Sequence, residues 1–467
     1  MNKFLLTALR CPFCSGTFTV INGDESSEYS VLSCYCDRYP VVAGIPIIRK
    51  GVVNPRGETH GTIRQFIEAG KNDKAFLAMT LPLAPSSEDL APAWLHRLPH
   101  FKGLGRIKGV VGKPAVPRWM KGAREFLATG PEGKTAKDYF DLYFLRHGTL
   151  KKDEHNYFVH RFGQPRHLVA LSLMTLANSP QKPVLDFGCG FGHLTRHLQL
   201  RVGRQPLIGA DRDFTRVYIA KTFLAPHGFY VCCDGDVSLP FQNDFFSVAY
   251  SSDTLYMVAN KVICARELQR VVHSEGLIIV AGIRNGLFKP EKYPGSLPFY
   301  VYGQLFDRMP HRILANCDVL SRYMRKFGPA LSQSSDGESL NSEQWFSIVA
   351  TRREDLLVDQ GQFEDWPHVE GQPELNPLYK PVTHQRPASD EVLYRHFFPS
   401  NWYEFEDSDC RKYEPETVSI RKQILRDLLA HKRTPEMEDL IAKCVIVGLP
   451  ERFHEPSKSL QQSIVAK

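Results

Sequence analysis

An apolar run, an acid and three alternate glycines stand together in the segment VLDFGCGFGHL, residues 184–194. A strand that runs into a glycine turn and then into a helix predicts a ligand site at the carboxyl end of a sheet. Gly188, Gly190 and Gly192 are spaced G-x-G-x-G, whereas a dinucleotide site has G-x-G-x-x-G, and no G-K-S/T follows that would form a phosphate loop. The carboxylate of Asp186 would repel a phosphate and attract a cation. The turn therefore favours S-adenosylmethionine, which has no phosphate and carries a sulfonium and an ammonium.

Acidic residues also end the next two predicted strands. Asp211 ends LIGAD, where its carboxylate can accept hydrogen bonds from both ribose hydroxyls of the cofactor. Asp234, followed by Gly235, ends the third strand in CCDGDVSLPF and can accept a hydrogen bond from the adenine amino group. Asp236 is a less well placed alternative for that role. We therefore expect the nucleoside half of the cofactor to lie against these residues.

The fourth predicted strand, in FFSVAYSSDTLYMV, brings Ser252 and Asp253 beside the expected methyl group. An oxygen or nitrogen acceptor can require a base, and Asp253 is the best placed candidate for a catalytic one. The alternative role for Asp253 is to cap the next helix or to orient the cofactor. Tyr256, His193 and His273 are poorer candidates, because we expect His193 in a first helical turn and His273 in the RELQRVV helix, beyond the active face.

Strands and helices alternate from Pro183 onwards, and the last predicted strand ends near Arg353. Strands are predicted at PVLDFG, PLIGAD, FYVCCDG, FSVAYSSDT and LIIVAGI, and helices at HLTRHLQL, FTRVYIAKTFLA and CARELQRVV. This alternation predicts an α/β fold with a doubly wound, mostly parallel, Rossmann-like sheet of seven strands, with mainly helical flanking segments. Such a sheet would bring the glycine turn and the acids to one edge.

Residues from about 183 to 282 resemble class I S-adenosylmethionine-dependent methyltransferases. The resemblance rests on four features in order, LDFGCGFG, GADRD, DGDVSLPF and RELQRVV. It implies that Asp186, Gly188 and Gly190 hold the methionine end of the cofactor, Asp211 the ribose and Asp234 the adenine. In such enzymes the cofactor supplies the electrophile, and the protein supplies alignment and excludes water.

Four cysteines lie in the first fifty residues, Cys11 and Cys14 in CPFC and Cys34 and Cys36 in VLSCYC. A segment this short buries little apolar surface, so a structural zinc ion bound by thiolates would supply the missing stability. The first pair has the usual C-x-x-C spacing, whereas the second is C-x-C. Either the second loop is compressed, or one of its cysteines is not a ligand. The alternative is a small strand-rich cap with free thiols.

This N-terminal segment resembles the small zinc-ribbon activator subunit of translation-related methyltransferases and the similar ribbons fused to many bacterial methyltransferases. The resemblance rests on CPFC, the second cysteine cluster and YPVVAGIPII, and covers residues 1 to about 50. It implies a zinc ribbon in which the metal is structural.

The length of 467 residues favours two or three folded units. We expect a zinc ribbon at 1–50, a helical and basic-loop connector or lid at 51–160, a methyltransferase domain at 161–353, and an extension at 354–467 that begins as a linker and ends in helices. The N-terminus lacks the apolar run of a signal peptide, no run is long enough to span a membrane, and the eleven cysteines are an odd number. A cytoplasmic protein is therefore expected, and the sequence identifies no obligate protein partner.

The positive charge is concentrated between residues 102 and 166, which carry 14 Lys and Arg against 6 Asp and Glu. The densest part, residues 102–124, is rich in glycine and proline and is predicted to be a loop. It could contact the phosphates of RNA, or it could be a solvated surface. We expect a small or peptidic metabolite as the methyl acceptor, with ribosomal or transfer RNA as the alternative. A cofactor-binding scaffold without catalysis is the alternative from another functional class.

Overall fold

The computed structural model describes residues 2–54, 57–80, 115–144, 157–177, 182–290, 295–363, 370–382 and 390–454. The strands are β1 Thr19–Ile21, β2 Ser30–Ser33, β3 Arg38–Val42, β4 Ile45–Ile48, β5 Val184–Phe187, β6 Leu207–Asp211, β7 Phe229–Cys233, β8 Phe246–Ser252, β9 Val272–Arg284, β10 His311–Ala315, β11 Trp345–Thr351, β12 Gln372–Leu375, β13 Tyr379–Pro381, β14 Glu391–His396, β15 Thr417–Arg421 and β16 Ile446–Leu449.

The helices that flank these strands are α1 Lys3–Ala8, α2 His60–Glu68, α3 Asn72–Thr80, α4 Ala115–Ala128, α5 Ala136–Phe144, α6 Pro165–Met174, α7 His193–Arg201, α8 Phe214–Ile219, α9 Lys261–Val271, α10 Phe299–Gln304, α11 Asn316–Met324, α12 Gly337–Ser342, α13 Asn401–Asp407, α14 Lys422–Leu429 and α15 Glu438–Ala442. Among the described residues, no helix has the length and apolar character needed to cross a membrane.

The main sheet has eleven strands in the order β1-β2-β3-β4-β7-β6-β5-β8-β9-β11-β10. From β4 to β9 all neighbours in this order run parallel, and β9, β11 and β10 are joined antiparallel. The α/β class and the parallel centre agree with the sequence prediction. The predicted count of seven strands was wrong, because the four strands of the N-terminal segment, predicted as a separate unit, join the same sheet through the pairing of β4 with β7.

The N-terminal segment joins the sheet through β4, in which Ile47 pairs with Cys232 and Ile48 with Cys233 of β7. All four residues of β4, with the sequence IPII, are buried. A fully apolar strand needs cover on both faces and a paired edge, and the exposed side of β7 offers that edge. Residues 1–50 therefore continue the sheet instead of standing apart from it.

Two apolar clusters cover the two faces of the sheet. Within β5, Val184 belongs to one cluster and Leu185 to the other, and all four residues of the strand are buried. Every residue of α6 is buried, and this helix packs against α11 and β9. The strand that carries the glycine turn thus lies at the centre of the core and holds the turn rigidly at its carboxyl end.

Two flanking regions differ from the predicted structure. The second half of the basic loop is helical in α4, because Pro117 falls in the first helical turn, where proline is tolerated, and good helix formers follow it. Residues 102–114 lie outside the described residues. The C-terminal segment, residues 370–454, is not mainly helical, since it holds β12 to β16 in two small sheets. Its stretch TVSIR forms β15, as β-branched residues favour.

Candidate functional site

A cleft of about 660 Å³ opens at the carboxyl ends of β5, β6, β7 and β8. This volume lies within the range of about 300–1,000 Å³ that is usual for small-molecule sites. Six of the predicted site residues lie in its wall, namely Gly188, Gly190, Asp211, Gly235, Ser252 and Asp253. The topology thus brings together residues that lie on four different strand ends.

The glycine turn needs glycine for two reasons. Gly188 and Gly190 have φ angles of 75° and 52°, in the left-handed region that other residues rarely adopt. A Cβ at position 188 would lie 2.1 Å from Oγ1 of Thr254. The close approach of this turn to the end of β8 therefore excludes any side chain at Gly188.

The carboxylate of Asp211 is fixed by two backbone groups. The Gly190 N–H donates to Oδ2 at 3.0 Å, and the Asp213 N–H donates to Oδ1 at 2.9 Å. Burial raises the pKa of Asp211, while Arg216 opposes the rise. Because each carboxylate oxygen can accept more than one hydrogen bond, Asp211 retains lone pairs for hydroxyl groups in the cleft.

Asp186 lies behind the glycine turn and not in the wall of the main cleft. It borders a small adjoining cavity of about 20 Å³ together with Arg161, His193 and Ser252. The Thr195 hydroxyl donates to Asp186 Oδ2 at 2.5 Å. Burial raises the pKa of Asp186 to about 7, Thr195 opposes the rise, and the charge of Asp211 adds to it. A cation placed near this carboxylate would lower its pKa again.

Asp234 is turned towards the N-terminal segment. Its Oδ2 accepts a hydrogen bond from Nε of Arg49 at 2.9 Å, and Nη1 of Arg49 also donates to the carbonyl oxygen of Arg212 at 2.8 Å. Asp234 is absent from the described wall of the cleft, whereas Arg49 and the alternative residue Asp236 are part of it. The adenine role therefore remains a prediction for Asp234, and the structure places Arg49 between this acid and the cleft.

Asp253 is held by two buried arginines. Its Oδ2 pairs with Nη2 of Arg161, and its Oδ1 lies 3.3 Å from Nη1 of Arg166. Asp253 itself is 6% exposed and has a φ angle of 52°. Both oxygens of this carboxylate already contact a guanidinium group. The geometry therefore favours the orienting role of Asp253 over the role of general base.

The C-terminal segment supplies two acids to the same charge network. Arg166 lies 3.5 Å from Asp407 Oδ1 and 3.8 Å from Glu406 Oε2, and Arg284 lies 3.3 Å from Glu406 Oε1. Burial raises the pKa of Asp407 to about 6, although the charge of Arg166 opposes the rise. Gln164 also donates to Asp407 at 3.2 Å. Buried charges thus join the C-terminal segment to Asp253 at the end of β8.

The other candidate bases, His193, Tyr256 and His273, lie in environments that favour structural roles. Nε2 of His193 lies 3.1 Å from the carbonyl oxygen of Phe158, and burial, with the charge of Arg161, lowers the pKa of this histidine to about 3. Tyr256 is packed edge-on against Trp345, and burial raises its pKa. His273 lies at the start of β9 and not in the preceding helix, so it is at the sheet edge opposite the cleft.

The four N-terminal cysteines converge, with all four sulfur atoms within 4.8 Å of one another. Sγ of Cys36 lies 3.6 Å from Sγ of Cys11 and 3.8 Å from Sγ of Cys34. Zinc–sulfur bonds of about 2.3 Å in a tetrahedron place sulfur atoms about 3.8 Å apart. The cysteine set therefore fits a zinc ion, and the C-x-C spacing does not prevent the fourth sulfur from reaching it.

Comparison with known proteins addresses the central part of the chain. Residues 185–280 match the family described as a methyltransferase domain. The chain contains a methyltransferase domain. The match confirms the predicted methyltransferase domain and supports the sequence-based prediction that the protein is a methyltransferase. Comparison with curated proteins gives no match.

Solved structures similar to this methyltransferase include three with low identity. A TehB-like S-adenosylmethionine-dependent methyltransferase from Corynebacterium glutamicum is 16% identical, with 40% of this chain and 88% of that one covered and a TM-score of 0.31. A complex of the Haloferax volcanii Trm112 methyltransferase activator with a methyltransferase is 17% identical, with 43% of this chain and 93% of that one covered and a TM-score of 0.31. A possible histamine N-methyltransferase from Thermotoga maritima is 18% identical, with 44% of this chain and 96% of that one covered and a TM-score of 0.32. TM-scores this low support no inference about acceptor or partner.

Sequence reasoning missed Arg49, the arginines that hold Asp253, and the acids of the C-terminal segment. Each charged partner lies far along the chain from the group that it binds, and Arg49 and Asp234 are separated by 185 residues. The available signal was the pair of arginines, Arg161 and Arg166, directly before the mostly apolar run LVALSLM, residues 168–174. Charges at such a place need buried counter-charges, but the sequence does not say which acids provide them.

Proposed function

We propose that the methyltransferase binds S-adenosylmethionine in the cleft and transfers its methyl group to a small or peptidic metabolite. The observation that carries the proposal is the contact between Gly190 and Asp211, which joins the glycine turn to an acid with remaining lone pairs. Asp211 would accept hydrogen bonds from the ribose hydroxyls, while Gly188 lets the turn approach the methionine end. When bound, the cofactor supplies the electrophilic methyl group.

The residues of the chain would align the reactants and exclude water. Asp186 offers the ammonium group a negative charge behind the turn, and Ser252 lies beside it at the end of β8. Asp253, fixed by Arg161 and Arg166, would keep the β8 end in one position and so orient the acceptor side of the site. Held rigidly, such groups lower the barrier mainly by positioning the two reactants.

The choice of a small or peptidic acceptor rests on what surrounds the cleft. Its wall includes Val52, Val53 and Asn54, just after the N-terminal segment, and Met79 at the end of α3. On the β8 side, the C-terminal segment is joined to Arg166 by its two acids. A cleft that other parts of the protein enclose on these two sides suits a compact acceptor better than a nucleic acid duplex.

We also propose that Cys11, Cys14, Cys34 and Cys36 bind one structural zinc ion. The sulfur separations support this proposal, and the metal would hold the strand pair that leads into β4. We further propose that the chain divides into domains at residues 50, 160 and 353, as predicted, and that the protein is cytoplasmic.

Cofactor binding and methyl transfer test this function separately. Calorimetric titration of S-adenosylmethionine should show binding that Asp211→Ala weakens by at least about 100-fold, because two hydrogen bonds to a charged group contribute about 3 kcal/mol or more. Asp307→Ala, at an exposed position outside the cleft wall, is the matched control and should bind like the wild type. Unchanged affinity in Asp211→Ala would contradict the assigned ribose position.

Incubation with methyl-labelled cofactor and fractionated cell extract then identifies the acceptor class. Label in the small-molecule or peptide fraction supports the proposal, and label in RNA replaces the acceptor with the alternative one. Cofactor binding without transfer to any fraction would leave a scaffold protein and overturn the catalytic function.

A further inference from the structure

A second cluster of metal-binding side chains lies in the C-terminal segment, apart from the ribbon cysteines. It consists of His396 at the end of β14, Cys410 in the short 3-10 helix Ser408–Lys412, and Glu414 just after that helix. One ligand atom from each lies within 4.8 Å of the others. Cys410 is 1% exposed and Glu414 is 4% exposed. Three such groups rarely share a buried position without a common partner.

The orientation of the histidine separates a metal site from a nucleophilic one. Nε2 of His396 lies 2.8 Å from Glu414 Oε2 and 3.9 Å from Cys410 Sγ. In a nucleophile–histidine–acid triad, the nucleophile and the acid contact opposite ring nitrogens. Here both contact the same nitrogen, Nε2, so the carboxylate cannot orient the ring through the opposite nitrogen while the histidine takes the proton of the thiol. Three donor atoms that point to one spot are instead the arrangement of metal ligands.

We propose that His396, Cys410 and Glu414 bind a transition-metal ion, with zinc as the ion that best matches the donor set. A thiolate, an imidazole and a carboxylate suit zinc, whereas magnesium and calcium prefer oxygen ligands alone. Three protein ligands leave one position of a tetrahedral ion to water or a small ligand. The proposal rests on these residues and is independent of the function proposed for the cleft.

The distances between the donor atoms are close to those of a zinc site. Tetrahedral bonds of about 2.0–2.3 Å place a ligating sulfur and nitrogen about 3.6 Å apart, and a nitrogen and oxygen about 3.4 Å apart. The observed sulfur–nitrogen separation of 3.9 Å is within a few tenths of an ångström of this value. The imidazole–carboxylate separation of 2.8 Å would open by about half an ångström on metal binding.

The carboxylate and the histidine are held in place by neighbouring groups. Nδ2 of Asn376 donates to Glu414 Oε1 at 3.0 Å and to the carbonyl oxygen of Cys444 at 2.9 Å. This bond leaves Oε2 facing the other two ligands. The ring of His396 packs edge-on against Tyr379, 5.5 Å between centroids. Such outer contacts orient metal ligands and raise the affinity of the site.

The cluster also adjoins the segment that carries the arginines of the cleft. Tyr413 donates its hydroxyl hydrogen to the carbonyl oxygen of Gly163 at 2.7 Å. A Cβ at Gly163 would lie 3.2 Å from Glu414 Oε1, so this carboxylate packs directly on the backbone there. Gly163 is two residues beyond Arg161, which binds Asp253. A metal at this place would fix Glu414 in the position where it packs on the backbone at Gly163.

Metal analysis of the full-length protein tests the proposal. The wild type, expressed without a histidine tag in zinc-supplemented medium, should retain about one zinc per chain more than His396→Gln or Cys410→Ser after dialysis. Cys444→Ser, a buried thiol of the same segment outside the cluster, is the matched control and should keep the wild-type content. Equal zinc in wild type, His396→Gln and Cys410→Ser would overturn the proposal and leave a buried contact between His396 and Glu414.

A second measurement covers the case in which these variants do not fold. The ribbon variant Cys11→Ser/Cys14→Ser leaves the C-terminal cluster intact, and it should bind about one cobalt(II) ion with the absorption of a single cobalt–thiolate bond. Absence of bound cobalt in a folded ribbon variant, judged by circular dichroism, would overturn the proposal.

Discussion

Replacement of Asp253 by asparagine tests whether this residue is a structural counter-charge or a base. Asn keeps the size of the side chain and removes its charge. Arg161, which is 1% exposed, would lose the carboxylate that it pairs with and keep the Gln164 Oε1 contact at 3.0 Å. Arg166 would keep Asp407 and Glu406. The variant therefore leaves one buried guanidinium without its charge partner.

Removing one member of a buried ion pair costs about 3–5 kcal/mol. Because the Asn oxygen can still accept one hydrogen bond, we expect the lower end, about 3 kcal/mol, which is a large part of a total stability of about 5–15 kcal/mol. Urea denaturation, followed by circular dichroism, should show this loss as a lower midpoint with an unchanged slope. Asp236→Asn, which removes a carboxylate of the cleft wall that accepts from the Asn260 N–H, is the control and should change the stability by less than about 1 kcal/mol.

The double variant Arg161→Gln/Asp253→Asn makes the test specific to the pair. If the cost arises from an uncompensated charge, the double variant should be more stable than the sum of the two single changes predicts, by about 1–3 kcal/mol. Additive effects, or an Asp253→Asn variant as stable as the wild type, would refute the structural reasoning and return Asp253 to the role of base.

Three further predictions concern the cofactor and the ribbon. In the apo-protein the pKa of Asp186 is raised to about 7, and a cationic cofactor favours the ionised form of this carboxylate. The affinity for S-adenosylmethionine should therefore rise from pH 6 to pH 8, and calorimetry of Asp186→Asn should show a smaller rise. Arg49→Ala should weaken cofactor binding about 3-fold to 10-fold, because it removes a side chain of the cleft wall, whereas Lys50→Ala, outside that wall, should not; equal affinities would contradict this. Cys11→Ser/Cys14→Ser should lose the ribbon zinc and shift thermal unfolding downwards, and unchanged melting would count against a structural metal.

Asp186 also gives the apo-protein a pH dependence of stability with a defined sign. Its folded pKa of about 7 is above the ordinary aspartate value of 3.8, so the folded state binds more protons between these values. Stability from this group is therefore greatest below about pH 4 and falls as the pH rises to about 7. The cationic cofactor would reverse this loss, because it favours the ionised carboxylate.

The part of the site that the sequence predicts well is the part built from strand ends. Gly190 and Asp211 are 21 residues apart, and their contact follows from two neighbouring parallel strands. Once the alternation of strands and helices is recognised, the topology requires that these ends meet at one edge of the sheet. No long-range packing information is needed for this step.

The contacts that the sequence could not predict join distant segments. The pairing of β4 with β7 extends the sheet beyond seven strands, and it depends on which free edge the apolar IPII strand finds. The Arg49 contact with Asp234 follows from that pairing. Arg166 and Asp407 meet because a whole C-terminal segment packs against α6, and neither residue type nor spacing reveals that choice. Tertiary packing decides such partners, and local pattern does not.

The most direct test of the central claim is a crystal structure of the protein with S-adenosylhomocysteine, the product form of the cofactor. We predict that the ligand lies in the cleft formed by Gly188, Gly190 and Asp211, with its ribose hydroxyls within hydrogen-bond distance of the Asp211 carboxylate. A ligand bound elsewhere, or one in the cleft without contact to Asp211, would contradict the account.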